Sequence, residues 1–464
     1  FILLFLAISA NLSPALYAQE NIHHDMKVVL DPEKHWIEVE DTISLPDTFF
    51  NVGGGEVHFV INKALQPVSI TDGVTITFLE KDNAQSSQSE SNNNSIFQSS
   101  HKLLDHYIVN LPPDKSSFTI KYRGEIFSPL LEQEEESDRS FRETSGIISD
   151  EGVYLASSTY WYPLLSDDLV TFSMEVHLPQ GWKAISQGGR DTTIGTTAQS
   201  ANKNRANKTH FYKFVEQNPQ DEIYLIAGKF TEYSRQAGSV ETLVFLRKPD
   251  EKLADKYLET GAQYIKMYGK LIDPYPYKKF ALVENFWDTG YGMPSFTLLG
   301  PRIIRFPFIL HSSYPHEILH NWWANGVFVD FSAGNWSEGL TAYLSDHLIK
   351  EQRGQGKEYR RATLQKYTDH VAESKDFPLT EFRSRHSPAT EAVGYGKTLM
   401  FFHMLRLQLG DEVFIKALRK FYRENKFKRA TFEDIKDAFA SVSGQDLEAD
   451  FNQWIKQTGA PEIR

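Results

Sequence analysis

Two histidines and a glutamate in the second half of the chain have the spacing needed to hold a metal ion and move a proton. His316-Glu317-Ile318-Leu319-His320 has the H-E-x-x-H pattern. On a helix, His316 and His320 lie one turn apart on the same face, where their imidazole nitrogens can bind one Zn²⁺ ion. Glu317 then lies beside the metal and can take a proton from a metal-bound water. The pattern predicts a zinc-dependent hydrolytic site.

A third metal ligand is predicted at the start of the next helix. Asn335-Trp336-Ser337-Glu338 places a carboxylate in the first turn of that helix. Seventeen residues separate His320 from Glu338, and Gly334-Asn335 marks a loop between the two helices. With Glu338 as third ligand, the fourth position of a tetrahedral zinc stays open, as catalysis requires.

The elements that must position these side chains are helices. After Leu246 the apolar residues recur at helical spacing, for example at Leu253, Tyr257 and Tyr268. Thr431 and Asp434 form a capping-box pattern ahead of a later apolar helix. The sequence therefore predicts a mainly helical catalytic domain over residues 241–464.

The first half of the chain has the period of β-strands. Apolar and polar residues alternate in 36–43, 74–78 and 118–122, which are rich in β-branched and aromatic residues. This pattern predicts an antiparallel β domain over residues 19–240. Polar or acidic composition predicts surface loops at 81–100, 132–143 and 192–208.

Composition narrows the classes of function and cellular location. With 464 residues, two or three domains are expected. A formal net charge of −12 argues against nucleic acid as a partner, which would call for a basic surface. The chain has no cysteine, which excludes disulfides, a catalytic thiolate and Cys-ligated zinc.

The start of the sequence predicts export. Phe1-Ile2-Leu3-Leu4-Phe5-Leu6 is apolar, and small and polar residues follow as far as Ala18. This pattern predicts a secretory signal peptide over residues 1–18 whose charged start is missing, with a buried first strand as the alternative. Later segments are too short or too polar to span a bilayer, so we expect a secreted or periplasmic protein with no integral membrane segment after signal removal.

The segment 316–343 resembles the zinc site of the aminopeptidase N family, a group of gluzincins. That family's pattern is H-E-x-x-H, eighteen residues, then Glu within N-E-G-F-A, and this chain has one residue fewer. Segments 268–280 and 450–455 resemble the family's lead into its substrate-edge strand and the close of its catalytic domain. The early strands around 24–43 resemble its N-terminal β domain.

The resemblance implies a fold, a cofactor and a substrate class. The implied fold is an N-terminal antiparallel β domain, sandwich-like or saddle-like, followed by a thermolysin-like, mainly α-helical (α+β) catalytic domain. The C-terminal helical domain of many members is not expected. The resemblance also implies one Zn²⁺ per chain, held by His316, His320 and Glu338, with Glu317 as the catalytic base and a peptide as substrate.

The same resemblance implies roles for a tyrosine and for an edge strand. Tyr395-Gly396-Lys397-Thr398 is similar to the family's Y-x-K-G segment, whose tyrosine hydrogen-bonds the oxyanion; a buried core tyrosine is the alternative. An ungapped alignment places Gly292 and Met293 on the substrate-binding edge strand. It places Pro294 where the family has the glutamate that binds the peptide's α-amino group, a role that a proline side chain cannot fill. Glu284 is another carboxylate considered for that role.

The expected function is therefore a secreted zinc metallopeptidase of aminopeptidase type. Because Pro294 replaces the amine-binding glutamate, one alternative is an endopeptidase or a peptidase for N-blocked peptides. Because the ligand spacing is short, the other alternative is a non-catalytic secreted binding protein that keeps the peptidase fold. The oligomeric state does not follow from the sequence.

Overall fold

A computed structural model describes residues 21–49, 55–79, 103–133, 141–165, 169–198, 208–371 and 375–459. The predicted signal peptide, residues 1–18, and the polar segment 81–100 lie outside the described residues. Within these ranges, no helix combines the length and the apolar character needed to cross a membrane.

The first half of the chain forms β-strands because apolar side chains alternate with polar ones. Along residues 36–44, for example, the side chains of Ile37, Val39 and Ile43 are buried while those of Glu38 and Glu40 are exposed. The strands of this half are β1 (Ile22–Asp31), β2 (Trp36–Ser44), β3 (Glu56–Asn62), β4 (Val68–Ser69), β5 (Thr75–Leu79), β6 (Leu104–Asn110), β7 (Ser117–Glu125), β8 (Leu131–Gln133), β9 (Phe141–Glu143), β10 (Ile147–Ile148), β11 (Val153–Leu155), β12 (Val170–Leu178), β13 (Lys183–Ile185), β14 (Gly189–Ala198), β15 (Lys208–Gln220) and β16 (Leu225–Gly228).

These strands form three main sheets around one apolar core. A seven-stranded sheet has the order β14-β15-β12-β1-β2-β7-β4, and a three-stranded sheet has the order β3-β6-β5. A four-stranded sheet, β10-β11-β16-β13, lies towards the second domain and shares the core through Val153, Leu155 and Leu225. Pairing is antiparallel throughout these sheets except between β1 and β12.

Strands also occupy parts of two segments that were predicted as loops. Strand β14 continues to Ala198 and β15 begins at Lys208, and residues 195–198 pair with 208–211 instead of forming a loop. Strands β8 and β9 pair at the two ends of the acidic segment 132–143. Polar composition misled the prediction because an edge strand or hairpin can be solvated on a face that a core strand would bury.

A five-stranded sheet opens the second domain. Its strands are β17 (Thr231–Ala237), β18 (Val240–Leu246), β19 (Lys279–Glu284), β20 (Gly290–Met293) and β21 (Phe296–Leu299). Their order is β17-β18-β19-β21-β20, so β20 is an edge strand and runs antiparallel to β21. The predicted boundary at residue 240 falls between β17 and β18, which pair along their whole length. The five-stranded sheet therefore contains strands from both sides of the predicted boundary.

Helices cover most of the remaining chain. They are α1 (Glu251–Leu271), α2 (Ser313–Leu319), α3 (Ser337–Ala342), α4 (Leu348–Gln352), α5 (Gly356–His370), α6 (Pro388–Glu391), α7 (Thr398–Leu409), α8 (Asp411–Asn425), α9 (Phe432–Ser443) and α10 (Glu448–Ile455). Two segments have π-helical geometry, Tyr343–His347 between α3 and α4 and Ala392–Lys397 between α6 and α7. A short parallel pair joins β22 (Phe328–Val329) to β23 (Arg429–Ala430).

An apolar contact fixes the β20–β21 hairpin against the β domain. Ile185 and Ile226 of the four-stranded sheet pack in one buried cluster with Leu243, Met293 and Phe296 of the five-stranded sheet. Burial of such side chains stabilises the contact by about 1.5 to 3 kcal/mol for each large residue. The hairpin is thereby held at the junction of the two domains, beside the cleft described below.

Candidate active site

Helix α2 carries the first two residues of the predicted zinc site and ends at the third. Ile318 and Leu319 are fully buried in the core of the second domain, while His316 and Glu317 lie on the helix face that lines a cleft. His320 is the C-terminal cap of the helix. The two imidazole rings are 4.8 Å apart between centroids, as one helical turn requires.

Glu338 of helix α3 meets both histidines. One atom from each of His316, His320 and Glu338 lies within 4.8 Å of the other two. Glu338 Oε2 is 3.4 Å from His316 Nε2 and 3.5 Å from His320 Nε2. Ligands about 2.0 to 2.2 Å from a tetrahedral zinc would be roughly 3.3 to 3.5 Å apart, so this donor set fits Zn²⁺. The short spacing is taken up by the loop between the helices, because Glu338 still reaches the histidines.

Each histidine is oriented by a second contact that the sequence did not reveal. His316 Nδ1 lies 2.9 Å from Asp346 Oδ2, and His320 Nδ1 lies 3.1 Å from the Trp323 carbonyl oxygen. A proton on each Nδ1 leaves the lone pair of Nε2 free for a metal. The π-helical turn places Asp346 beside His316. A carboxylate two turns after Glu338 is the only sequence signal, and it is a weak one.

Gly292 on the edge strand β20 lies against the catalytic helix. A Cβ atom at this position would be 2.6 Å from Glu317 Oε2 and 3.2 Å from His320 Cβ, so a side chain here would displace Glu317 or His320. Two asparagines that follow His320 bind the hairpin, Asn325 Nδ2 to the Gly292 carbonyl oxygen at 3.3 Å and Asn321 Oδ1 to Ser295 N at 2.7 Å. The edge strand is therefore fixed directly beside the metal-binding residues.

The region that contains the predicted site matches the domain of a known protein family. Residues 312–454, which contain all three predicted ligands and Tyr395, match the peptidase family M1 domain. The matched region is about a third of the chain and lies within its second domain. The resemblance to the aminopeptidase N family is thus confirmed.

Two yeast aminopeptidases illustrate the extent of the sequence similarity. The chain is 29% identical over 161 residues to mitochondrial aminopeptidase 2 of Saccharomyces cerevisiae, which covers 32% of this chain and 16% of that protein. It is 22% identical over 331 residues to alanine/arginine aminopeptidase of the same yeast, which covers 66% of this chain and 36% of that protein. The chain thus spans about a third or less of the length of these relatives.

Solved M1 structures have the same fold. An M1 zinc metallopeptidase from Deinococcus radiodurans matches with a TM-score of 0.65 at 15% identity, over 96% of each chain. Yeast LTA4 hydrolase matches with a TM-score of 0.63 at 15% identity, over 96% of this chain and 69% of that one. These matches confirm the predicted fold class, a β-rich N-terminal domain followed by a mainly helical catalytic domain.

Tyr395 lies beside the metal-binding residues. It belongs to the π-helical segment Ala392–Lys397, and its ring stacks on the His316 imidazole at 6.3 Å between centroids. Burial and the Glu338 charge raise the pKa of the Tyr395 hydroxyl well above its ordinary value. The hydroxyl therefore stays protonated and can donate a hydrogen bond into the cleft.

Burial and neighbouring charges shift the pKa values of Glu317 and Glu338 in opposite directions. Burial raises the pKa of Glu317, which suits a group that must accept a proton near neutral pH. Burial also disfavours the charge on Glu338, but His320 and His316 hold the pKa of Glu338 well below its ordinary value. Glu338 is therefore an anionic ligand, as a dication prefers.

The metal-binding residues open into a cleft of about 1250 Å³ between the two domains. Gly292 and Met293 line this cleft, as the sequence predicted for the substrate edge. Pro294 is buried in the turn of the hairpin and is not among the lining residues. The residues that line the cleft include Tyr154, Ser157, Glu222, Tyr224, Asp288, Gly290, Tyr291, Arg302, Phe306, Phe308, Asp346, Lys366, Arg385 and Glu391.

Proposed function

We propose that the chain is a zinc-dependent metallopeptidase that removes residues from the N terminus of peptides. The observation that carries this proposal is the convergence of His316, His320 and Glu338 beside Glu317 and the edge strand β20. The yeast relatives described above are named as aminopeptidases, which supports the same class of reaction.

His316, His320 and Glu338 would hold the zinc ion, which when bound supplies a Lewis acid for activating water and polarising a carbonyl group. Glu317 performs the proton transfers. Its carboxylate accepts a proton from the attacking water and delivers that proton to the amine nitrogen that leaves. The raised pKa of Glu317 helps the first transfer, because it makes the carboxylate a stronger base towards the attacking water.

Tyr395 and strand β20 handle the substrate. The Tyr395 hydroxyl donates a hydrogen bond to the oxygen of the scissile carbonyl as negative charge develops there. The edge backbone of β20 at Gly290 and Gly292 binds an extended peptide as an additional strand. Because Gly292 has no side chain, the peptide backbone can lie close to Glu317.

One observation favours a second candidate function. Pro294, at the position of the amine-binding glutamate, has no group that binds an ammonium, which favours an endopeptidase or a peptidase for N-blocked peptides. A mutant of the Deinococcus M1 enzyme has been solved with a Tyr-Ser-Ala substrate bound. We rank the exopeptidase first because the cleft offers a different carboxylate for the amine, described in the next subsection.

Metal analysis combined with matched peptides separates these functions. Peptides of one sequence are offered with a free or an acetylated N terminus, and the zinc content of the protein is measured in parallel. We expect bound zinc and cleavage of the free peptide alone. Equal cleavage of both forms would establish the endopeptidase instead. Bound zinc without cleavage across a broad peptide library would establish the non-catalytic binding protein.

We also propose that the protein acts outside the cytoplasm, as a secreted or periplasmic enzyme. The apolar start of the sequence and the small residues before Ala18 support this location. N-terminal sequencing of the protein made with its natural leader tests it. Export with cleavage near residue 18 is expected, and retention of an uncleaved chain in the cytoplasm would contradict the proposal.

A further inference from the structure

The β-domain wall of the cleft carries a carboxylate, Glu222, that the mechanism above does not use. Glu222 comes shortly before strand β16 and lines the same cleft as His316 and Glu317. Ser157 N donates a hydrogen bond of 2.7 Å to Glu222 Oε2, and the Tyr224 hydroxyl donates to Glu222 Oε1. Each carboxylate oxygen is thus held by its own donor.

The donors to Glu222 are neutral groups. Burial and the Glu222 charge raise the pKa of the Tyr224 hydroxyl well above its ordinary value, so this hydroxyl keeps its proton and donates it. Within the described ranges, no lysine, arginine or histidine forms an ion pair with Glu222. The carboxylate is therefore fixed in orientation, but no described side chain balances its charge.

The other carboxylates that line the cleft already have partners. Asp288 forms an ion pair with Arg302, and Glu391 lies 3.2 Å from Lys366. Of the remaining three, Glu338 belongs to the metal-binding set, Asp346 contacts His316, and Glu317 is the proposed catalytic base. Glu222 is thus the one carboxylate among the described lining residues that has neither a cationic partner nor a role at the metal.

The charge of the cleft favours a cationic ligand. Among the described residues, six carboxylates line it against three lysine and arginine side chains, so their balance stays negative even with a bound dication. A negative cleft raises the local concentration of positively charged ligands and orients them. An ionised carboxylate has about four acceptor sites, and two of those on Glu222 are used by Ser157 and Tyr224. The others can accept N–H groups from an ammonium.

Glu284, the other carboxylate that the sequence offers for binding the α-amino group, lies outside the cleft. Glu284 is buried, its Oε1 is 2.7 Å from Arg305 Nη1 and its Oε2 accepts from Arg247 N at 2.8 Å. It does not line the cleft. Glu284 therefore forms a structural ion pair with Arg305. Glu222 is then the carboxylate available to bind the α-amino group.

We propose that Glu222 binds the protonated α-amino group of the peptide and thereby restricts cleavage to the N-terminal bond. This proposal rests on the peptidase function proposed above, because it gives that function its free-amine specificity. The β domain would supply the amine site and the helical domain the reacting groups. Only peptides that end near the β-domain wall would then place their first bond over Glu317.

The test removes the charge of Glu222 and keeps its shape. The probes are Ala-Ala-Ala and N-acetyl-Ala-Ala-Ala, and kcat and KM are measured for wild type, Glu222→Gln and Tyr224→Phe. For Glu222→Gln we expect kcat/KM with the free peptide to fall about 10- to 100-fold, chiefly through KM, because a charge-assisted hydrogen bond is lost. Tyr224→Phe should give a smaller loss, and zinc content should not change.

Asp288→Asn is the matched control, since Asp288 lines the same cleft but is already paired with Arg302. It should leave the preference for the free peptide unchanged. If Glu222→Gln kept the wild-type ratio between the free and the acetylated peptide, or if Asp288→Asn lowered that ratio equally, the assignment of Glu222 would be overturned.

Binding separates this proposal from the function on which it rests. The free and acetylated tripeptides are titrated calorimetrically into Glu317→Gln and into the double variant Glu222→Gln/Glu317→Gln. Preference for the free peptide in the first protein, and its loss in the second, supports the amine site whatever the turnover. If wild type cleaved no peptide while this pattern held, the peptidase function alone would be wrong. Equal binding to both proteins would overturn the role of Glu222.

Discussion

Two pairs of histidines meet the same π-helical segment, Tyr343–His347, and they have opposite surroundings. His316 and His320 lie among carboxylates, with Asp346 of that segment at 2.9 Å from His316, and they line the cleft. His347 and His403 are buried and lie 5.5 Å apart between ring centroids. Their neighbours include arginines instead of an excess of acids.

The neighbours decide what each pair can do. Although burial opposes the charge, Asp346 and Glu338 raise the pKa of His316 well above its ordinary value. Burial, reinforced by Arg360, lowers the pKa values of His347 and His403 to about 4. A cation suits the first pair, where carboxylates complete the ligand set. The second pair stays neutral, with His347 Nε2 2.7 Å from Arg360 Nη1, and serves packing.

The largest expected effect follows from replacing Glu317, the proposed catalytic base beside the first pair. Glu317→Gln should lower kcat by about 10²- to 10⁴-fold, because the amide cannot accept the proton of water. Zinc content and the unfolding transition should stay as in wild type. The matched change near the second pair, Glu351→Gln, should leave kcat within a few-fold of wild type. The measurement is steady-state kinetics with the free tripeptide. Equal losses of kcat in Glu317→Gln and Glu351→Gln would contradict the proposed difference between the two histidine pairs.

A second effect should appear in the stability of the buried pair in acid. The folded pKa of His403, about 4, lies below its ordinary value of 6.5, so the unfolded chain binds the proton more readily between these values. The contribution of His403 to the free energy of unfolding is therefore fully present above pH 6.5 and is lost as the pH falls towards 4. The loss amounts to about 3 kcal/mol for this group.

Urea unfolding of wild type and His403→Gln between pH 7 and pH 4 measures this loss. Both proteins are kept in EDTA, so that zinc release does not contribute to the unfolding free energy. Protonation of His316 and His320 affects both proteins alike and therefore cancels when their free energies are subtracted. The stability advantage of wild type over the variant should shrink by about 3 kcal/mol across this range. A pH-independent difference for His403→Gln would show that the second pair is not kept neutral by its surroundings.

The sequence could distinguish the two pairs only in part. His316, Glu317 and His320 were predicted because their spacing is local and matches one helical turn. Glu338 was predicted across seventeen intervening residues because the next helix start is also marked locally. Asp346, Asn321, Asn325 and Glu222 were missed because their contacts come from tertiary packing, which no short motif records. Nothing in the sequence marked His347 and His403 as a pair.

The fold shows the same division between local and long-range information. Strand β2 was predicted from alternation alone, because one of its faces is buried and the other is exposed. The predicted boundary at residue 240 falls inside a sheet, because β17 and β18 share the strand period of the β domain although β18 also pairs with β19. Periodicity predicts that a segment is a strand, and it says nothing about which strand pairs with it.

The smallest expected effect comes from two adjacent residues. Asp346 contacts His316 of the first pair, and His347 belongs to the second pair. Asp346→Asn should weaken zinc binding by about 10- to 100-fold, because His316 loses the carboxylate that orients it. His347→Gln should leave zinc affinity unchanged and lower the free energy of unfolding by about 1 to 3 kcal/mol, because the buried contact with Arg360 is disturbed.

Competition with a chelating dye measures the zinc affinity, and urea unfolding of the metal-free proteins measures the stability. Each variant serves as the control for the other, since the two positions are neighbours in one π-helical segment. If both changes weakened zinc binding to the same extent, the segment would act as a single unit behind His316. The two histidine pairs would then be parts of one network, and the arginine-flanked pair would need a role at the metal as well as in the core.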